Sequence, residues 1–218
     1  MTATTTLRSA SRRSRRSAEL RERLFRAALD LFAQKGFAET TVEDITNAAD
    51  VGKGTFFNYF PSKDHILLAF GEMQLGKLRQ AVEEARKTQQ PLPAFLRSLT
   101  TRMTAEPARN PGVIRVLLLA FLSNQEVRKA MMELQARVLA LHTEMIQLGQ
   151  ERGEIRNDLP PLEIAQVFRQ VIFGTALIWS LYGDASLNSR MDAAFELVWT
   201  GMSPRNHSGS PLVVPLFV

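Results

Sequence analysis

The stretch Thr40 to Lys63, TTVEDITNAADVGKGTFFNYFPSK, decides how the rest of the chain is read. Its pattern gives a short helix opening at Thr40 or Thr41, a tight turn over Ala49-Asp50-Val51-Gly52, and a second helix from about Lys53 to Phe60, stopped by Pro61. Thr41 with Asp44 makes one N-terminal capping pair and Thr40 with Glu43 another, so the first helix has two possible starts. Ile45, Ala48 and Ala49 form its inward face, and Phe56 and Phe60 form that of the second helix. The second helix then turns outward Lys53, Gly54, Thr55 and Asn58, where a bundle helix of this length would not place Gly, Thr and Asn beside exposed aromatics. Two helices this short bury little alone, and such a unit serves to push one helix into the DNA major groove. A lysine there donates to guanine, an asparagine pairs with adenine, a threonine methyl meets a thymine methyl, and Gly54 permits close approach. Thr40, Thr41, Tyr59 and Lys63 flank that face as candidate phosphate contacts. The competing reading is a helical hairpin inside an ordinary α-bundle.

Outward from this unit the helical period continues. Leu20, Leu24, Ala27, Ala28 and Leu31 recur at three- and four-residue steps, ending at Gln34-Lys35-Gly36, with Gly36 suited to a left-handed terminus. After Pro61, Ser62 is placed to cap a long amphipathic helix that buries Ile66, Leu67, Phe70, Met73 and Leu78 and leads away as a mechanical link. Gln89-Gln90-Pro91-Leu92-Pro93 is the best break in the chain. Further helices are expected over 94–106, 113–123, 126–152, 161–182 and 190–200. The fold class is all-α, with about nine helices. The expected domains are a disordered basic arm (1–16), a helix-turn-helix domain (17–78, the motif at 41–60), a helical body (79–201) and a flexible tail (202–218).

The chain has 218 residues, net charge +5 and pI near 10.0, which permits a polyanionic partner without requiring one. Cysteine is absent, which excludes disulfides, thiol nucleophiles and cysteine-held metals and suits a cytoplasmic protein. No unbroken apolar run approaches the ~20 residues of a membrane span, so no membrane partner is expected. The opening MTATTTLRSASRRSRRS is free of acids, like an organellar presequence, but no apolar stretch follows its arginines as export would need. Arg15, Arg16 and the arginines before them read either as a solvated tail or as an arm following a minor groove.

The ordered set LFAQKGF, then TTVEDITNAADVGKGTFFNYFPSKDHIL, resembles the N-terminal domain of the TetR family of bacterial transcriptional regulators over about residues 18–78. The resemblance implies that Thr41 meets a phosphate, that Lys53, Thr55 and Asn58 face the groove, and that Tyr59 and Lys63 clamp the backbone. Three positions depart from the family pattern: Asp50 replaces the turn glycine, Gly52 the capping serine, and Phe57 a tyrosine whose hydroxyl holds a phosphate. The resemblance further implies a homodimer on a palindromic double-stranded operator, repression, and release by a small-molecule effector.

The second half agrees physically. Val167, Val171, Gly174, Leu177 and Ile178, with Phe195 and Trp199, make the candidate dimer surface, the alternative being monomer core. The family pocket would fall among Phe95, Leu99, Met103, Leu117, Phe121, Met131 and Leu134, a set that equally describes packed core. No catalytic residue, metal site or cofactor motif stands out: Gly52-Lys53-Gly54-Thr55 lacks the rest of a phosphate loop, and the three histidines are scattered. An activator, a regulator without effector, and a helical small-molecule carrier or enzyme are the alternatives.

Overall fold

The computed structural model describes residues 3–123, 125–183 and 186–204, with side chains from residue 15. Among these residues the regular elements are nine helices: α1 (Ala3–Lys35), α2 (Val42–Ala48), α3 (Lys53–Phe57), α4 (Asp64–Lys87), α5 (Leu92–Arg109), α6 (Gly112–Ser123), α7 (Gln125–Glu151), α8 (Pro161–Tyr182) and α9 (Leu187–Met202). The all-α expectation stands.

Residues 3–16, read from the sequence as part of a disordered basic arm, are continuous with α1, which begins at Ala3. Extending an existing helix costs far less than nucleating one, and the Ala and Arg of this segment are good helix formers. The tail beyond Pro204, including Asn206-His207-Ser208 and the closing LVVPLFV, lies outside the described residues. Other boundaries move for physical reasons. The α5 helix continues through Pro107 to Arg109 instead of stopping before the proline. The α9 helix starts at Leu187, three residues early, because Ser186 caps it through the Ser189 amide and Leu187 and Met191 find burial.

Pro107 has no N–H, so the Met103 carbonyl one turn back loses its helical donor. Gln74 of α4 supplies one instead, its Nε2 donating to that oxygen at 2.7 Å. Gln74 of α4 thus repairs with its side chain the defect that Pro107 leaves in α5.

Two large apolar clusters divide the interior, with a smaller third of Ile114, Ala176, Trp179, Leu187 and Met191 beside them. One joins Leu24, Leu29, Phe32, Ile45, Phe56, Phe60, Ile66, Leu67 and Phe70 to Val113, Val116, Ala120 and Val127. The core of the first domain therefore continues into α6 and the start of α7 and does not close at residue 78. The other cluster holds Leu78, Val82, Leu92, Phe95, Leu96, Met145, Ile146, Phe168 and Phe195. The α4 helix enters the first by its N-terminal half and the second by its C-terminal half, as a link must.

The α5–α6 corner grips α1. Glu106 forms an ion pair with Arg26, Asn110 Nδ2 donates to the Leu29 carbonyl at 2.9 Å, and Gly112 lies so close that an added Cβ would come 2.6 Å from Ala33 Cα. A side chain at Gly112 would force α1 and α6 apart.

Polar residues interrupt α8, so no unbroken apolar run marks it in the sequence. By length and composition this 22-residue helix could cross a membrane, an 18-residue stretch of it having a mean hydropathy of 1.4. It packs instead against α7 and α9 and keeps one apolar face uncovered.

Candidate nucleic-acid interface

Thr41, not Thr40, caps α2. Its Oγ1 accepts from the Asp44 amide at 3.1 Å, and the Asp44 carboxylate accepts from the Thr41 amide at 2.7 Å, closing a reciprocal box. Lys35 reaches the same carboxylate at 2.6 Å. The Lys35 ammonium, with the Thr41 hydrogen bonds, holds Asp44 well below the usual carboxylate range. Of the inward face, Ile45 and Ala49 are buried as expected, but Ala48 is exposed and Thr46 takes the buried place, satisfied by the Glu43 carbonyl at 3.0 Å.

The turn depends on Asp50, at φ 50° the one non-glycine residue with positive φ among those described. That conformation is tolerated by Asp, whose short side chain makes the left-handed region accessible. Gly52 precedes α3 without a side-chain cap, as its lack of a hydroxyl dictates. The helix is then shorter than expected, ending at Phe57, because the chain tightens there: the Asn58 amide reaches Thr55 O at 3.3 Å and the Tyr59 amide Phe56 O at 2.9 Å.

Phe56 and Phe60 are fully buried, their ring centroids 5.8 Å apart, and fix the inner face of this helix. Lys53, Gly54 and Asn58 are exposed and Thr55 is half-exposed. At Gly54 an added Cβ would meet nothing within 4 Å, so nothing in the chain's own packing demands a glycine there. Phe57 stands half-exposed, edge-on to Phe56 at 5.4 Å. A phenyl ring at that rim offers apolar contact and no hydrogen bond.

Two flanking residues are corrected as phosphate contacts. Thr40 is completely buried, and its hydroxyl donates to the Gly36 carbonyl at 2.6 Å. The Lys63 ammonium is committed to three carbonyls, Phe37 at 2.7 Å, Thr40 at 3.0 Å and Ala38 at 3.2 Å, and lies over the Phe37 ring. It closes the loop after α1, whose carbonyls lack helical donors. Ser62 likewise does not cap α4: its hydroxyl bonds Asp64 and the His65 ring, and Lys63 takes the cap position. Thr41 is exposed, but its hydroxyl donates to the Asp44 carboxylate at 2.6 Å and is held in the cap; Tyr59 is half-exposed, its phenol oxygen accepting from the Ser17 hydroxyl at 3.2 Å with its own proton still to give. Arg15 and Arg16 are exposed on α1, Arg15 pairing with Glu19 at 3.4 Å. Sequence reasoning missed Lys35 and Ser17 here, and Lys35 was detectable in principle as a base at a helix end beside an acidic first turn.

In the body, Val167 and Ile178 are each 55% exposed, and Phe173, Leu181 and Leu197 join them as exposed apolar side chains on α8 and α9. Val171, Gly174 and Leu177 are half-buried beside them. Gly174 and Ile178, with Thr175, Trp179, Tyr182 and Arg190, line a cleft of about 270 Å³. Phe195 is corrected: it is buried against Phe168 and Arg97 and faces inward, with Trp199 half-buried and stacked on it at 6.0 Å. The seven expected pocket residues are not brought to one cavity. Leu117 and Met131 pack with the first cluster, Phe95, Leu99 and Met103 with the second, and Leu134 is buried beside Gly71. Phe121 is half-buried on α6. Among the described residues no group of three or more His, Asp or Glu is placed to hold a metal ion.

Residues 24–70 match the family model described as "Bacterial regulatory proteins, tetR family". An uncharacterized HTH-type transcriptional regulator of Bacillus subtilis, YerO, is 40% identical over 58 residues, spanning 27% of this chain and only 20% of that protein. The HTH-type transcriptional regulator TcmR of Streptomyces glaucescens is 27% identical over 216 residues, covering 88% of this chain and 86% of its own. Among solved structures, Thermus thermophilus FadR, a TetR-family transcriptional repressor in complex with lauroyl-CoA, superposes with a TM-score of 0.62 at 30% identity, over 88% of this chain and 99% of that one.

Proposed function

The chain belongs to the TetR family of bacterial transcriptional regulators, and from that premise we propose that it is a homodimeric cytoplasmic repressor that grips a palindromic operator through α3 and releases it when a small molecule binds the body. The observation that carries the reading is the outer face of α3. Lys53, Gly54, Thr55 and Asn58 stand clear of the Phe56/Phe60 core, with groups suited to base edges. Tyr59 flanks it with a hydroxyl for a phosphate, and Arg15 and Arg16 add charge on α1. Pairing is needed because two such helices must sit one turn of DNA apart, ~34–36 Å. The uncovered apolar face of α8 and α9, Val167, Phe173, Ile178 and Leu197, favours a second copy as the partner.

The test uses operator fragments selected from genomic DNA. Replacing Lys53 and Asn58 together by Ala lowers affinity for the selected site by about a hundredfold or more, since each lost base contact costs ~1–3 kcal/mol. Circular dichroism and the dimer mass stay unchanged. Loss of neither sequence preference nor affinity would remove α3 as the reading helix. A protein that selects no fragment at all would favour the helical carrier.

A further inference from the structure

Between α7 and α8, partly buried in the body, lies a polar group that the packing does not use up. Arg169 of α8 donates through one terminal nitrogen to Gln135 Oε1 at 2.9 Å. Its Nε is buried and meets no acceptor. Among the described residues no carboxylate pairs with this guanidinium, although most other body arginines of α5, α7 and the following loop have one: Arg97 with Asp192, Arg102 with Glu84, Arg137 with Glu72 and Arg156 with Asp158. The neighbouring His142 gives its Nδ1 proton to the Val138 carbonyl at 3.1 Å. Burial first, and then the charge of Arg169, hold its pKa down at about 4, so at neutral pH it carries no charge. The ring of Phe168 lies beside it, 5.9 Å between centroids, and Val138, Leu139 and Ile172 of α7 and α8 pack against the same apolar cluster.

A buried donor without an acceptor is unfavourable and calls for an explanation, and one positive charge beside an apolar seam has the polarity of an anion receptor. Gln135 offers the guanidinium a neutral oxygen where a charged one would bind more strongly, two bonds from a planar fork to one carboxylate being the strongest arrangement available to arginine.

We propose that the effector is an organic anion with an apolar body, its carboxylate or equivalent oxygens taking the place of Gln135 on Arg169 and its apolar part entering between α7 and α8. This rests on the repressor reading above and deepens it by naming the effector's chemistry and its anchor. The same helix α8 carries the uncovered apolar face, so a ligand that parts α7 from α8 moves the surface on which the two copies meet.

The experiment uses the full-length dimer. Straight-chain carboxylates of six to sixteen carbons and the neutral alcohols of the same lengths are titrated, reading thermal stability and operator release in parallel. At the best chain length the carboxylate binds about tenfold to a hundredfold tighter than the alcohol, the range expected when a hydrogen bond to a charged group is added. Arg169→Gln removes that preference and Arg169→Lys keeps part of it. Gln135→Glu supplies an internal carboxylate, raises the stability of the unliganded protein and abolishes carboxylate binding. Equal binding of acid and alcohol, an unchanged preference in Arg169→Gln, or no binding by any carboxylate would each overturn the anion site. Because operator binding by the unliganded protein is read in the same titration, failure of the repressor reading appears separately, as absence of any complex to release.

Discussion

Both α3 and α8 leave a face uncovered, and the two faces are opposite in kind. The α3 face is made of a lysine, a glycine, a threonine and an asparagine, short or polar groups held out by two buried phenylalanines. The α8 face is made of large apolar side chains, Val167, Phe173, Ile178 and Leu181, and is among the most water-averse surfaces described. A polyanion with patterned edges satisfies the first, and only another apolar surface satisfies the second. An uncovered face thus states its partner's chemistry before the partner is known.

The largest expected effect tests the second face. Phe173→Asp with Ile178→Asp removes two apolar anchors, each worth ~1.5–3 kcal/mol when fully buried, and adds charge that the interface must desolvate. The dimer dissociation constant rises about a thousandfold or more by sedimentation, while the helical content of the monomer is kept. Unchanged mass at micromolar concentration would show that α8 is not the meeting surface.

Acid separates the two regions next. Unfolded, His142 takes a proton near pH 6.5, but folded it resists until about 4, so its contribution is full above 6.5 and is lost as pH falls towards 4. The loss amounts to roughly 3 kcal/mol of body stability. Asp44, whose folded carboxyl is also depressed, loses its contribution only as pH falls below the ordinary carboxylate value of 3.8. Urea melts at stepped pH should therefore show weakening first in a body-placed probe such as Trp199 fluorescence, and His142→Gln should flatten the step between 6.5 and 4. A step that survives the substitution would place the acid sensitivity elsewhere.

The smallest effect sharpens the first face. Thr41→Ala removes the acceptor for the Asp44 amide and costs about 1 kcal/mol, read as a modest fall in melting temperature. Operator affinity should fall as well, because α2 sets the angle of α3. A fall in stability without loss of affinity would limit Thr41 to capping.

Legibility followed sequence distance. The helix-turn-helix was readable because its signals lie within a few residues of one another: Thr41 with Asp44, Phe56 with Phe60, Pro61 as the stop. Thr40 and Thr41 were not separable, since both are threonines before an acidic first turn and only the packing decides which is buried. Lys63 looked like a phosphate clamp because the carbonyls that occupy it are contributed 23 to 26 residues earlier. The apolar surplus of α8 was visible in composition, yet Phe195 on α9 could not be assigned inward or outward without knowing which neighbour it meets. The pocket was least legible, because Phe, Met and Leu at helical spacing look alike in a core and in a ligand site, whereas Arg169 draws attention only once its missing partner is known.

The bond from Gln74 to the Met103 carbonyl bears on how the body can move. An ordinary helix can slide along its neighbour by exchanging one set of apolar contacts for the next. The α5 helix does not slide freely along α4 at Pro107, because any shift that parts Gln74 from Met103 leaves a part-buried carbonyl without its protein donor, at a cost of up to about 1 kcal/mol. The two helices are therefore keyed at that point. They travel together or the key disengages in a single step, which makes displacement here a matter of discrete positions, the property a switch requires and a soft interface lacks.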